Sequence, residues 1–114
     1  MQTKLFPMTA NITYVNKTKT LYLPPNARIS RIDNFVVTGF NDSGTDLLGI
    51  GITGTLAKYV SALSVASGGA SAVTLLASAV ESAANSTGII ITYTGQNGNA
   101  SAGECNVTLW CVQE

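Results

Sequence analysis

The 114-residue chain contains no histidine, and only 11% of its residues are charged. An average soluble protein carries roughly 25%. Without histidine the commonest general base is missing, and a serine or cysteine nucleophile would have to be activated by lysine or a carboxylate. The acids are scattered, with no paired motif of the kind that cleaves glycosides. A small hydrolase or lyase is therefore a poor fit, and no catalytic, metal-binding or cofactor-binding residue is assigned. The few charges also cancel, six basic against six acidic with a pI near 6.1. That balance gives no electrostatic footprint for a nucleic acid backbone.

Two further absences narrow the setting. The start, Met1 to Pro7, lacks the apolar run of a secretory signal, so the expected place of synthesis and assembly is a cytoplasm. No charge falls between Lys58 and Glu81, but serine, threonine and glycine interrupt that stretch throughout. It does not read as a membrane span. The two cysteines, Cys105 and Cys111, lie on one strand and would be separated by roughly 20 Å along it. They cannot bridge each other there and read as small core residues.

What the chain does have is strand signal. Cys105, Val107, Leu109 and Cys111 alternate with Asn106, Thr108, Trp110 and Val112, a period of two that gives a strand with an apolar face. Trp110 stands on the opposite face, so both sides are expected to be covered, by core or by a neighbouring subunit. Gly88 to Thr94 is a β-branched and aromatic run, and the turn-rich Gly95 to Gly103 links it to the last strand as a hairpin. Arg28 to Phe40 reads as a strand with a bend near Asp33–Asn34. The turn at Asn41 to Gly44 returns the chain through Leu47 to Thr53 as a second hairpin. Ile12–Val15 and Thr20–Leu23 are shorter strands, closed by Pro24–Pro25. Residues 56–84 fit both a helical stripe through Val73, Leu76, Val80 and Ala83 and a strand alternation; strands with at most one helical turn suit their neighbours better. Eight to ten short strands in one domain predict an all-β antiparallel sandwich, of the jelly-roll kind, over residues 1–114. Residues 1–11 are a candidate N-terminal arm.

Several motifs have a chemical and a plainer reading. Gly49-Ile50-Gly51-Ile52-Thr53-Gly54 has dinucleotide-fingerprint spacing but lacks a βαβ frame and a suitably placed acid, so the glycines are read as allowing close packing or a bend. Asn41 to Asp46 alternates oxygen donors as a calcium loop does, without the frame or the bidentate Glu, and reads as a turn. Lys58 beside Tyr59 is read as a solvated lysine next to a half-buried ring. The Asn-X-Ser/Thr sequences at Asn11, Asn16, Asn41, Asn85, Asn99 and Asn106 follow from composition. Tyr14, Tyr22, Tyr59, Tyr93 and Trp110 are the candidates for a sugar-binding platform.

One resemblance covers roughly residues 35 to 114. Gly49 to Gly54 followed by Lys58-Tyr59-Val60, then Ile89 to Gly95, then Ser101 to Glu104 leading into a strand that ends Leu109-Trp110, is similar to the rhythm of the jelly-roll capsid decoration, or cement, proteins of tailed bacteriophages. The resemblance implies a non-enzymatic virion protein on the outside of the head, a homo-oligomer and often a trimer. Such a protein holds major capsid protein subunits together and has no active site. The other reading is a receptor- or glycan-binding module of a tail fibre or other surface structure, using the tyrosines, Tyr93 among them, and the loop Gly95 to Gly103.

Overall fold

The computed structural model describes residues 4–71, 73 and 87–113. Among these residues there are eight strands: β1 (Lys4–Thr13), β2 (Thr18–Leu23), β3 (Ala27–Thr38), β4 (Asp46–Ile52), β5 (Thr55–Ser64), β6 (Gly69–Ser71), β7 (Thr87–Gly95) and β8 (Glu104–Gln113). They form two antiparallel sheets of four, in the orders β1-β8-β3-β6 and β2-β7-β4-β5. Successive strands alternate between the sheets except at β4–β5. Two interleaved four-stranded sheets wired in this order are a jelly roll, as the strand count suggested.

The alternation read in the sequence sets the core. Cys105, Val107, Leu109 and Cys111 of β8 point inward and are fully buried, meeting Ile89 and Ile91 of β7 and Leu48 and Ile50 of β4 from the facing sheet. Each buried Val, Leu or Ile contributes about 1.5–3 kcal/mol by leaving water. On β3 the simple alternation fails, since Ile29 and Ile32 are both buried although three positions apart. The register with β8 slips between Ile29 and Arg31, and again between Val36 and Thr38. A β-bulge at each slip restores the inward phase. The bend expected near Asp33–Asn34 is thus displaced to Ser30 and Val37.

Two expectations about connectivity are overturned. β3 and β4 do not form a hairpin, nor do β7 and β8, because each pair is split between the sheets. The turn residues between them send the chain across the sandwich instead of back along its neighbour. The true hairpin is β4–β5, closed by Thr53–Gly54 with Gly54 at φ 85° and Ile52 opposite Thr55. The segment read as an arm is, from Lys4 onward, strand β1, paired along its whole length with β8 from Lys4–Gln113 to Thr13–Glu104. Phe6, Met8, Ala10 and Ile12 are its inward side. Pro7 fits there because β1 is an edge strand, where a missing N–H costs no ladder bond.

Residues 56–71 are strand wherever regular, in β5 and β6. The helical stripe through Leu76, Val80 and Ala83 lies outside the described residues.

Candidate functional site

At one end of the sandwich the β3–β4 and β7–β8 connections are fastened together by side chains. Asp42 is the centre. Its carboxylate accepts from the backbone N–H groups of Gly44 at 2.8 Å, Asn97 at 3.0 and 3.2 Å, and Asn99 at 3.0 Å. Asn41 Oδ1 accepts from the N–H groups of Ser101 at 2.7 Å and Ala102 at 2.9 Å, and Ser43 N–H donates to Asn99 Oδ1 at 2.9 Å. Gln96 closes the arrangement in both directions, its N–H donating to Thr45 O and its Oε1 accepting from Thr45 N. The clasp is how turn-rich sequence, lacking hairpin pairing, satisfies its backbone donors.

Beneath the clasp lies a second buried acid. The Tyr93 hydroxyl donates to Asp46 Oδ1 at 2.6 Å, and the same oxygen accepts from Asp42 N–H at 3.0 Å. The Tyr93 ring stacks against Phe40, with centroids 4.3 Å apart. Burial, then the hydrogen bond and charge of Asp46 and the charge of Asp42, push the Tyr93 hydroxyl above its ordinary range. Burial also pushes the Asp42 carboxyl up, but the N–H groups of Gly44, Asn99, Asn97 and Gly98 outweigh it and hold the group below its ordinary value of 3.8.

This geometry settles two motifs. The oxygen-rich stretch Asn41 to Asp46 is a turn running into β4, the Asp42 carboxylate accepting from backbone N–H groups and the Asp46 carboxylate from the Tyr93 hydroxyl and the Asp42 N–H. No cluster of three or more metal-ligating His, Cys, Asp or Glu side chains occurs among the described residues. Tyr93, a candidate sugar platform, is only 3% exposed, and the loop after it is occupied by the clasp. The signal that it was structural was its inward phase with Ile89 and Ile91.

The glycine-rich stretch also resolves as structure. A Cβ at Gly51 would lie 2.2 Å from the Thr55 carbonyl oxygen, so β5 crosses close over β4 there. Gly54 is the turn residue. Lys58 Nζ sits 5.7 Å from the Tyr59 ring centroid, and Tyr59 is buried rather than half-buried. Cys105 and Cys111 are free, buried thiols, each pushed up to about 11, Cys105 by burial and the Glu104 charge and Cys111 by burial. Among the asparagines of glycosylation-type sequences, Asn11 donates to Glu104 and Asn106, and Asn41 and Asn99 serve the clasp. Asn85 lies outside the described residues.

The two outer faces differ in charge. On the β1-β8-β3 face Trp110 Nε1 donates to Asp33 at 2.8 Å, Arg31 lies over the Trp110 ring at 5.2 Å, and Arg31 pairs with Asp33 at 3.2 Å. Trp110, expected to be covered from outside, is thus half-covered by its own neighbours, beside a hollow of about 480 Å³ lined by Leu5, Ser30, Arg31 and Trp110. On the other face the outward positions of β2, β7 and β4 are Thr18, Thr20 and Tyr22, then Gly88, Ile90, Thr92 and Thr94, then Leu47, Gly49 and Gly51. None is charged. Tyr22, 70% exposed, stands beside a hollow of about 440 Å³ that also reaches Ile52 and Ile90.

No family model matches the chain, and no curated protein matches it. Two solved structures are similar to it over almost its full length. A chain of the capsid asymmetric unit of cyanophage Pam1 superimposes with a TM-score of 0.75 at 16% identity, covering 98% of this chain and 86% of that one. A chain of the acid-stable capsid of Helicobacter pylori bacteriophage KHP30 gives a TM-score of 0.62 at 13% identity, covering 97% and 92%. At these identities the likeness establishes a shared fold.

Proposed function

We propose that the chain is a structural, non-enzymatic component of a bacteriophage virion. In this reading it is a capsid decoration or cement protein that binds the outer surface of the head and stabilises contacts between major capsid protein subunits. The observation that carries the reading is the likeness, over almost the whole length given, to chains of two phage capsids, which spans both sheets. The uncharged outward register of β2, β7 and β4 supports it, because strands with no outward charge to desolvate are suited to contact with other subunits. The protein acts as a homo-oligomer, a trimer by the resemblance noted above, assembled in the host cytoplasm and carried on the capsid exterior.

The test uses phage heads that lack this protein. Added protein co-sediments with such heads and raises their resistance to heat, and it sediments alone as an oligomer. Ile90→Lys, placed within this uncharged register, weakens both associations while leaving the unfolding temperature of the isolated protein unchanged. A folded wild-type protein that stays monomeric and leaves such heads unbound would sink the reading.

A further inference from the structure

Asn97 is the one asparagine in the chain that is followed by glycine. That dipeptide is chemically special. A glycine next in sequence leaves its backbone nitrogen unhindered, and asparagine side chains are among the thermolabile groups of proteins. After losing its proton to solvent base, the Gly98 nitrogen attacks Asn97 Cγ. The N–Cγ bond forms, the Cγ–Nδ2 bond breaks and ammonia leaves, giving a succinimide. Water then opens the ring at either carbonyl, leaving aspartate or isoaspartate at position 97. No oxidant or reductant is involved.

The clasp holds each participant away from that reaction. Asn97 Nδ2 donates to Ser43 Oγ at 2.9 Å, which ties the leaving group and Cγ to the β3–β4 connection. Gly98 N–H, the nucleophile, donates to Gly95 O at 3.3 Å. The flanking N–H groups of Asn97 and Asn99 are both held by Asp42, so the backbone on either side of Gly98 cannot turn independently. Gly98 itself is fixed at φ 65°. Ring closure needs the Asn97 side chain and the Gly98 nitrogen to swing together, and this requires the Asn97–Ser43 and Asp42 bonds to open first.

We propose that Asn97–Gly98 is a spontaneous modification site held unreactive by the clasp, which makes opening of the two loops a one-way event. Once the loop is free, conversion places a carboxylate where the Asn97 amide donated to Ser43, close to the Asp42 carboxylate. The isoaspartate product also adds a backbone methylene between the two N–H groups that Asp42 accepts. Either product opposes reclosure, by charge or by spacing.

The experiment incubates folded wild-type protein, urea-unfolded wild-type protein and a synthetic peptide spanning residues 94–101 in mildly alkaline buffer. Conversion at position 97 is followed by peptide mapping and by enzymatic methylation of isoaspartate. The folded protein stays unconverted over the time in which the unfolded chain and the peptide convert. Asp42→Asn, assayed while folded by circular dichroism, converts faster than folded wild type. Chains converted while unfolded and then refolded melt at a lower temperature than fresh refolded chains, and Asn97→Gln, which resists ring closure, shows no such loss after the same treatment. Equal conversion in the folded protein and the peptide would overturn the protection, and an unchanged melting temperature after conversion would overturn the one-way opening.

Discussion

Gly103 lies against the ring of Phe40 so closely that a Cβ at position 103 would come within 2.4 Å of Phe40 Cδ2. The residue is also at φ 151°, in the left-handed half of the map, so two independent constraints reserve it for glycine. Gly103→Ala is expected to destabilise the protein by about 2 kcal/mol or more, since overpacking and backbone strain each cost roughly 1–3 kcal/mol. Denaturant unfolding measures this. A loss within about 0.5 kcal/mol, the ordinary range for a surface change, would mean that Phe40 moves aside freely.

Acid should open the clasp before it unfolds the core. Asp42 is held below its ordinary value of 3.8 in the folded protein. Its contribution is therefore fully present above that value and is lost as the pH falls through the lower folded one. Thermal melts of wild type and Asp42→Asn between neutral pH and pH 2 are expected to differ most at neutral pH and to converge at the acid end. Parallel curves across the whole range would contradict the assignment.

Tyr93→Phe removes the 2.6 Å hydrogen bond to Asp46 and keeps the stack on Phe40. A hydrogen bond to a charged group is worth about 1.5–3 kcal/mol, so a loss of that size is expected in equilibrium unfolding. The raised hydroxyl adds an alkaline signature. Its contribution is present below the unfolded tyrosine value near 10 and is lost as the pH rises toward the folded one. The gap between wild type and Tyr93→Phe should therefore narrow in strong alkali.

The thiols of Cys105 and Cys111 are expected to resist a disulfide reagent in the folded protein at neutral pH and to react fully on unfolding. Both are buried and shifted from 9.0 to about 11, so the nucleophilic thiolate is scarce as well as shielded. The sign is that of a raised group, with stability present below 9.0 and lost as the pH rises through about 11. Rapid labelling of native protein at neutral pH would show that β8 opens readily.

Asn34 is an inward-facing amide on β3, 3% exposed, and neither its Nδ2 nor its Oδ1 has a hydrogen-bond partner among the described residues. Leaving such groups unsatisfied costs about 1–3 kcal/mol. Asn34→Leu, similar in shape and without polar atoms, is expected to raise the unfolding free energy by an amount of that order. A clear destabilisation would point to a polar group or bound water that the amide serves in solution.

Strand identity was legible in residue pattern, and strand partnership was not. The alternation from Cys105 to Cys111 and the run through Ile89 and Ile91 mark the inner faces correctly, since burial in a sandwich follows a local period of two. Nothing local says that Lys4 faces Gln113 or that β7 and β8 belong to opposite sheets. The turns at Asn41–Gly44 and Gly95–Gly103 have hairpin composition, yet their donors are satisfied across the sandwich by one another. The same nonlocality hid the clasp. Asp42 and Asn97 lie far apart in sequence, and only the crossing of two connections over one end of the core brings them within hydrogen-bonding distance. Tyr93 looked available as an aromatic platform because its partner, Asp46, is likewise remote.

The place of β8 in its sheet bears on the order in which the molecule acquires its structure. β8 lies between β1 and β3 and hydrogen-bonds to both, although it lies far downstream of each in sequence. A ribosome therefore releases β1 and β3 without the strand that joins them, and sheet formation waits on contacts of very high sequence separation. Such a topology folds slowly, and its unfinished form presents open strand edges for the whole interval. Conditions of synthesis and chaperone supply, more than the final stability of the sandwich, are expected to govern how much of this protein is recovered in native form.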